Sequence, residues 1–440
     1  MKIIITAANG FIGQSLVRHF KDKYDVIALV RSIPTEIKGV KYQLWDGENL
    51  GDWTIELEGA LAVINLAGRS VNCRYTRKNQ EEIYNSRLDS TEIIGKAIEQ
   101  CADKPKVWIN AASATIYKHS FEPMTEKAGT IGEGFSVDVC LRWEKKFNDY
   151  KQQNVRQILL RTAIVLGKEG GVMKPFNNLA AFGLGGKMAD GKQMFSWIHE
   201  EDLCRAVDFL IADESCTGIY NLSAPNPVTN AAFMQTLRQV KKVPLGLPSP
   251  AWLLKTGAWL IGTETELIFK SRFVVPERLL DAGFEFKYPA IKQCLENLYV
   301  QNDSLEDADQ KWAMTSALGS LIFALLFVIS VFLKEPSATF ALCAFVVVYI
   351  ISFLFSMLIS IPVVIYTRYI QGKAGIRHKF SRVRKFQLIL FAACILTGAF
   401  LMIGIRDIYA RPALFIQYIL MLFIYLLSGF AVWRPKFRKQ

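Results

Sequence analysis

The 440-residue chain has no paired cysteine motifs, few acidic residues from Asp309 onward, and no long apolar run at its start. Its eight cysteines, at 73, 101, 140, 204, 216, 294, 343 and 394, form no C-x-x-C pair and no metal-like spacing. That argues against a metal or dithiol motif and for unpaired thiols in a reducing compartment. The first apolar run is only Ile3 to Ile5 before Asn9-Gly10, which reads as a strand entering a turn and not as a signal peptide. From Asp309 onward only 3 acidic residues accompany 15 lysines and arginines, whereas the first 308 residues carry 37 of each sign. The net charge of +12 therefore belongs to short segments between apolar runs. Charge so confined points to membrane topology and away from nucleic acid.

The apolar runs lie at about 312–333, 338–366, 386–405 and 413–432. Each is about 20 residues or longer, which at ~1.5 Å per residue spans a ~30 Å hydrocarbon layer. Pro362 is expected to kink the second run or to mark its exit into the interface. The loop 367–385 carries seven lysines and arginines, and the tail adds Arg434, Lys436, Arg438 and Lys439. The positive-inside rule then puts this loop, the tail and the N-terminal domain in the cytoplasm. The expected protein is multi-pass, in a bacterial inner or plasma membrane. No charged residue lies deep in a run, so no ion path is expected there.

The first two-thirds alternate apolar, β-branched runs with amphipathic segments. Runs at 2–6, 26–30, 61–67, 106–113 and 156–166 read as strands buried on both faces, with a shorter one at 41–45. Phe11–Lys23, Lys78–Gln100 and Ser136–Gln152 read as helices. The alternation predicts an α/β, Rossmann-like, doubly wound parallel sheet.

The stretch IITAANGFIG (4–13) brings a strand and a glycine turn to a helix N-terminus, an arrangement that receives a pyrophosphate. Gly10 lets phosphates approach, and Gly13 lets the helix pack on the sheet. Ala7 stands where a first glycine is usual, which is tolerable if its φ stays negative. Val30 occupies the place of an acidic ribose-binding residue, and Arg31 after it suits a 2′-phosphate. The NLAG segment (65–68) offers small residues over which a nucleotide can lie.

These segments resemble the extended short-chain dehydrogenase/reductase superfamily, and within it the atypical, epimerase-family "39U"-type branch. The resemblance rests on ANGFIG, VINLAG, SRLDST (86–91), NAASATIY (110–117), VCLRWE (139–144), LRTAIVLGKEGG (160–171) and GKMADGKQMFSWIHEEDL (186–203). It continues through VVPERLLDAGFEFKYPAIKQCLENL (274–298) and covers about residues 1–298. It implies an NADP(H)-binding Rossmann-like epimerase/dehydratase domain over 1–235 and a small C-terminal segment over 245–298. A linker at 299–311 and a membrane domain at 312–440 would complete the chain. Ala7, Gly10, Phe11, Ile12, Gly13 and Arg31 would hold the cofactor, with Asp46 near the adenine and Leu66, Ala67 and Gly68 beside the adenosine ribose. Ser113 matches the serine near the reacting carbon.

One part of the pattern is missing. Such enzymes usually work with a tyrosine and a lysine four residues later, and Ser136 and Cys140 occupy those positions. A serine hydroxyl is too basic for the proton transfer, and a cysteine carries no fixed positive charge. Tyr117, His199 and Cys140 are then the other candidates, with His199 a tempting base. The expected function is a membrane-tethered NADP(H)-dependent oxidoreductase or epimerase-like enzyme. A non-catalytic NADP(H)-binding sensor or scaffold, or a membrane module regulated by the soluble domain, stays open. The expected partners are a small-molecule substrate, the lipid membrane and a second copy of the chain in a homo-oligomer.

Overall fold

The computed structural model describes residues 1–33, 37–168, 170–181, 185–243, 246–252, 254 and 269–300. The chain divides into two compact units, Met1–Asp303 and Ser304–Gln440. The four expected spans lie outside the described residues, as does the linker beyond Val300. Among the described residues no helix is long and apolar enough to cross a membrane.

The first unit is built on a Rossmann-like sheet. Its leading half runs β1 (Lys2–Thr6), α1 (Phe11–Phe20), β2 (Asp25–Val30), β3 (Val40–Leu44) and β4 (Ala62–Asn65). Its second half runs α2 (Arg77–Gln100), β5 (Val107–Ser113), α3 (Phe135–Asp149) and β6 (Arg156–Thr162). After β7 (Ile164–Leu166) and α4 (Met173–Ala181) come β8 (Met194–Phe195), β9 (Trp197–His199), α5 (Glu200–Ala212) and β10 (Gly218–Leu222). The sheet has seven strands in the order β10-β6-β5-β4-β1-β2-β3. All its pairs are parallel, and the direction of winding reverses between β1 and β4. In open α/β sheets the crevice at the carboxyl ends of strands flanking that reversal is where ligands bind.

Alternation along the strands feeds both faces. Ile3, Ile5, Val26, Ala28 and Ile64 point to one face, under Leu16 and Phe20 of α1 and Leu203 and Val207 of α5. Ile4, Ile27, Leu29, Val63 and Trp108 point to the other, under Ile94 and Ile98 of α2 and Phe147 of α3. Thr76 caps α2 by accepting from the Asn79 N–H. The run 156–166, read as one strand, is two. The Ala163 N–H donates to the Leu222 carbonyl at 2.9 Å, and the chain then leaves the main sheet to pair β7 with β9.

A smaller region sits beside the sheet. It contains β11 (Val228–Thr229), α6 (Asn230–Val240), α7 (Glu277–Asp281) and α8 (Ile291–Val300). Phe195, Trp197, Phe233, Leu237, Ile291 and Leu295 form a core of its own. The six cysteines among the described residues are unpaired thiols, five of them buried.

Candidate dinucleotide crevice

The turn between β1 and α1 is closed by the Gly10 N–H, which donates to the Ala7 carbonyl at 2.8 Å. Gly10 caps α1 in an extended conformation and brings no side chain to bond the first N–H groups of the helix. The amide end of α1 is thus presented bare at the sheet reversal. Gly13 is buried one step further in, where the helix crosses the backbone of Ala7 and Ala8. Ala7 itself has φ +50°. This corrects the expectation of a negative φ: the turn demands the left-handed region, and an alanine occupies it at a cost of roughly 1–2 kcal/mol.

Asn9 ties this turn to the neighbouring strand end by donating from its amide to the Ser32 carbonyl at 2.6 Å. Arg31 is exposed at the end of β2, while Val30 is buried in the core. Asp46 accepts from the Glu48 and Asn49 backbone N–H groups and from the Asn49 amide. The Asn49 amide and those two N–H groups hold its carboxyl below the usual range. Phe11 and Ile12 are half-buried at the first turn of α1. Bare glycine backbone receives the Phe11 ring: a Cβ at Gly167 or Gly170 would fall about 2.5 and 2.4 Å from its atoms. Glu200 holds that loop in place, accepting from the Ser15 hydroxyl at 3.1 Å and the Lys168 N–H at 3.0 Å.

At the end of β4 the structure shows residues that the sequence reading passed over. The Thr6 hydroxyl donates to Asn65 Oδ1 at 2.8 Å, and the Leu66 N–H donates back to Thr6 Oγ1 at 2.9 Å. The Asn65 amide donates to Asn110 Oδ1 at 2.7 Å, and the Ala67 N–H donates to Asn65 Oδ1 at 3.1 Å. Thr6, Asn65 and Asn110 are fully buried. Each polar atom so placed needs its partner. This chain of bonds fixes the direction in which Leu66, Ala67 and Gly68 leave the sheet.

A family profile described as "NAD dependent epimerase/dehydratase family" matches residues 3–223, half of the chain and the whole of this crevice. The chain belongs to that family. A second profile, "Domain of unknown function (DUF1731)", matches residues 249–298. The epimerase family protein YfhF of Bacillus subtilis is 31% identical over 304 residues, 68% of this chain and 98% of the relative. The crystal structure of human epimerase family protein SDR39U1 (isoform 2) with NADPH superposes with a TM-score of 0.61 at 25% identity. It covers 69% of this chain and 100% of the human chain. UDP-N-acetylglucosamine 4-epimerase from Bacillus cereus shares the fold at 19% identity and a TM-score of 0.55, over 69% of this chain and 97% of that one.

The candidate side chains Ser113, His199 and Tyr117 of this epimerase-family chain have their polar atoms engaged. Ser113, at the end of β5, caps the following turn: its hydroxyl donates to Thr115 Oγ1 at 2.9 Å and accepts from the Thr115 N–H at 3.2 Å. His199 is 2% exposed and caps α5, with Nδ1 accepting from the Glu201 N–H at 3.0 Å. Its Nε2 lies 3.2 Å from Asn297 Oδ1, and its ring stacks on Tyr288 at 4.0 Å. Burial holds its pKa below the ordinary value. Tyr117 donates to Asn221 Oδ1 at 2.9 Å and accepts from Arg161 Nη1 at 3.0 Å. Arg161 forks onto Glu144, both bonds at 2.8 Å. Burial acts against the Arg161 charge, yet the Glu144 bonds outweigh it and raise its pKa. Burial pushes the Cys140 thiol up to about 12, so it is protonated and inert near neutral pH.

Proposed function

We propose that this protein is an NADP(H)-dependent oxidoreductase or epimerase-like enzyme held at the cytoplasmic face of a membrane by its last third. The observation that carries the cofactor reading is the bare amide end of α1 at the sheet reversal. It is reached over Gly10 and pressed to the sheet through Gly13, with Arg31 exposed on the adjacent strand end. A dinucleotide fits these residues: backbone N–H groups would hold the pyrophosphate, and Arg31 would pair with a 2′-phosphate where Val30 cannot accept from a 2′-hydroxyl. SDR39U1, solved with NADPH, supports the same choice. When bound, the nicotinamide supplies hydride transfer. The residues of this chain would orient it, and the buried Thr6–Asn65–Asn110 bonds fix the strand ends over which it would lie.

The nucleotide part is tested by calorimetry with NADPH and NADH on the purified protein. A charged contact from Arg31 contributes about 1.5–3 kcal/mol, so NADPH should bind at least tenfold tighter and Arg31→Glu should abolish the difference. Equal affinities in the unmutated protein would remove this reading. The membrane part is tested by thiol labelling of intact cells, where cysteines placed at Ser337 and Tyr409 should react and one at Gly375 should not. Labelling at Gly375 from outside reverses the orientation.

The second reading is a sensor or scaffold that binds NADP(H) without turnover. It is favoured by the commitment of Ser113 and His199 to caps and of Tyr117 to a buried bridge. NADPH binding with no hydride delivered to any carbonyl would decide for it.

A further inference from the structure

Arg87 lies in the first half of α2, the crossover from β4 to β5, and lays its side chain against the backbone of Gly68 beyond the end of β4. A Cβ on Gly68 would stand 3.2 Å from Arg87 Cζ and 3.4 Å from its Cγ and Nε. The guanidinium carbon also lies over the Trp143 ring of α3, 5.1 Å from the centroid. Nη1 donates to the Ile83 carbonyl, one turn back, at 3.0 Å. These supports are themselves fixed. Thr91, one turn further along α2, accepts from the Trp143 indole at 3.0 Å and from the Asn65 amide at 3.3 Å. Both helices and the end of β4 thus hold one side chain in place.

Its other nitrogens are open. Among the described residues Nε and Nη2 have no hydrogen-bond partner, and no carboxylate pairs with Arg87. Neither belongs to the sealed polar atoms of the interior, so both reach solvent-accessible space beside Gly68. Burial works against the charge, yet a guanidinium keeps it at neutral pH. A half-buried cation with open donors in a fixed fork is built to receive phosphate oxygens and hydroxyls. The sheet decides which part of a ligand meets it. A doubly wound sheet takes one mononucleotide on each side of its reversal. Arg31, at the end of β2, belongs to the half made by β1, β2 and β3. Arg87 belongs to the other half, because α2 crosses from β4 to β5 and α3 covers β5 through Phe147 on Trp108, with centroids 4.6 Å apart.

We propose that Arg87 is a second cofactor-binding arginine, whose Nε and Nη2 donate to the ribose-phosphate of the nicotinamide half. The assignment rests on the dinucleotide reading above and divides the work within it. Arg31 selects the 2′-phosphate at one end, and Arg87 anchors the half that carries the reacting ring. Gly68 is part of the device, since only a bare backbone admits the guanidinium so close to the strand end. The clamp by Trp143, Gly68 and Ile83 matters as well. A donor already held in place loses little side-chain freedom when a ligand arrives. Cys140, on α3, is a neutral thiol and offers no charge to do the same.

The test is calorimetry on the full-length protein in detergent with NADPH, 2′-phospho-ADP-ribose and adenosine 2′,5′-bisphosphate. The second probe lacks only the nicotinamide, and the third lacks the whole nicotinamide half. Arg87→Gln should weaken NADPH and 2′-phospho-ADP-ribose about tenfold or more, and leave the bisphosphate within about twofold. Arg31→Glu should weaken all of them. Arg87→Met keeps an apolar stem against Trp143 and Gly68 but donates nothing, so it should show the same split and serves where the glutamine variant fails to fold. Equal weakening of every probe, or of none, overturns the assignment. Weakening of NADPH alone overturns it too, because the contact would then be with the nicotinamide ring. An unmutated protein that binds none of the probes removes the dinucleotide reading itself. Binding that is intact in the parent and unchanged in both Arg87 variants removes only the role of Arg87.

Discussion

The carbonyl oxygen of Ala7 lies 2.5 Å from the point that a Cβ on Gly13 would occupy, and the Ala8 Cα lies 2.7 Å from it. Both obstacles are backbone, so neither can rotate away. Gly13→Ala should therefore destabilise the protein despite the ~1 kcal/mol that alanine gains over glycine inside a helix. Overpacking of this kind costs roughly 1–3 kcal/mol, and α1 must back off from β1 to relieve it. Urea unfolding should show the loss, and NADPH titration should show weaker binding because the amide end of the helix has moved. Gly10→Ala, with 3.2 Å to the Ala7 oxygen, is the milder change in stability.

Ala7 predicts the opposite sign. At φ +50° its methyl group is strained, and glycine at this position removes the strain. Glycine also gains entropy in the unfolded chain, which offsets part of the benefit. The net expectation for Ala7→Gly is a stabilisation of about 0.5–1 kcal/mol, read as a higher urea midpoint with an unchanged slope. A destabilisation would show that the turn relaxes to negative φ in solution.

The Glu144–Arg161 pair predicts a non-additive result. Both side chains are buried, so removing one leaves an uncompensated charge at a cost of about 3–5 kcal/mol. Glu144→Leu and Arg161→Met should each destabilise by that order, while the double variant should recover a large part of the loss. Additive losses in the double-mutant cycle would mean that the pair is not coupled.

His199 sets a pH dependence. Burial depresses its pKa below 6.5, against the opposing pull of Asp202, Glu200 and Glu201. The unfolded chain therefore binds the proton more readily than the folded one. The stabilisation is complete above about pH 6.5 and is lost as the pH falls from there through the lower folded value. A proton on Nδ1 would also remove the acceptor that caps α5. His199→Asn keeps a capping oxygen and cannot titrate, so it should lose less stability between about pH 7.5 and 5.5 than the parent. Equal losses in thermal melts at the two pH values would contradict this.

The sheet was legible because its strands are β-branched runs buried on both faces, and Ile3, Ile4 and Ile5 show it in three residues. The break at Ala163 was not, because apolar residues continue across it and the Ala163 N–H turns to the Leu222 carbonyl, 59 positions away. His199 looked like a base because imidazole is an unusual helix cap. The sign that it caps was the acidic run Glu200, Glu201 and Asp202 in the first turn of α5. Asn65 and Asn110 could have been found together: each interrupts an apolar strand, and the two face each other in register.

The seating of Phe11 against Gly167 and Gly170 has a consequence for how relatives of this protein can diverge. Ring and glycines fill one volume, so that volume can be divided between them in more than one way. A lineage that shrinks residue 11 to alanine or serine removes the ring that a side chain at 170 would meet, whereas one at 167 would still meet the Glu200 carboxyl 2.6 Å away. Substitutions at residues 11 and 170 should therefore be inherited together, although they lie 159 positions apart in the chain, while 167 stays glycine in either lineage.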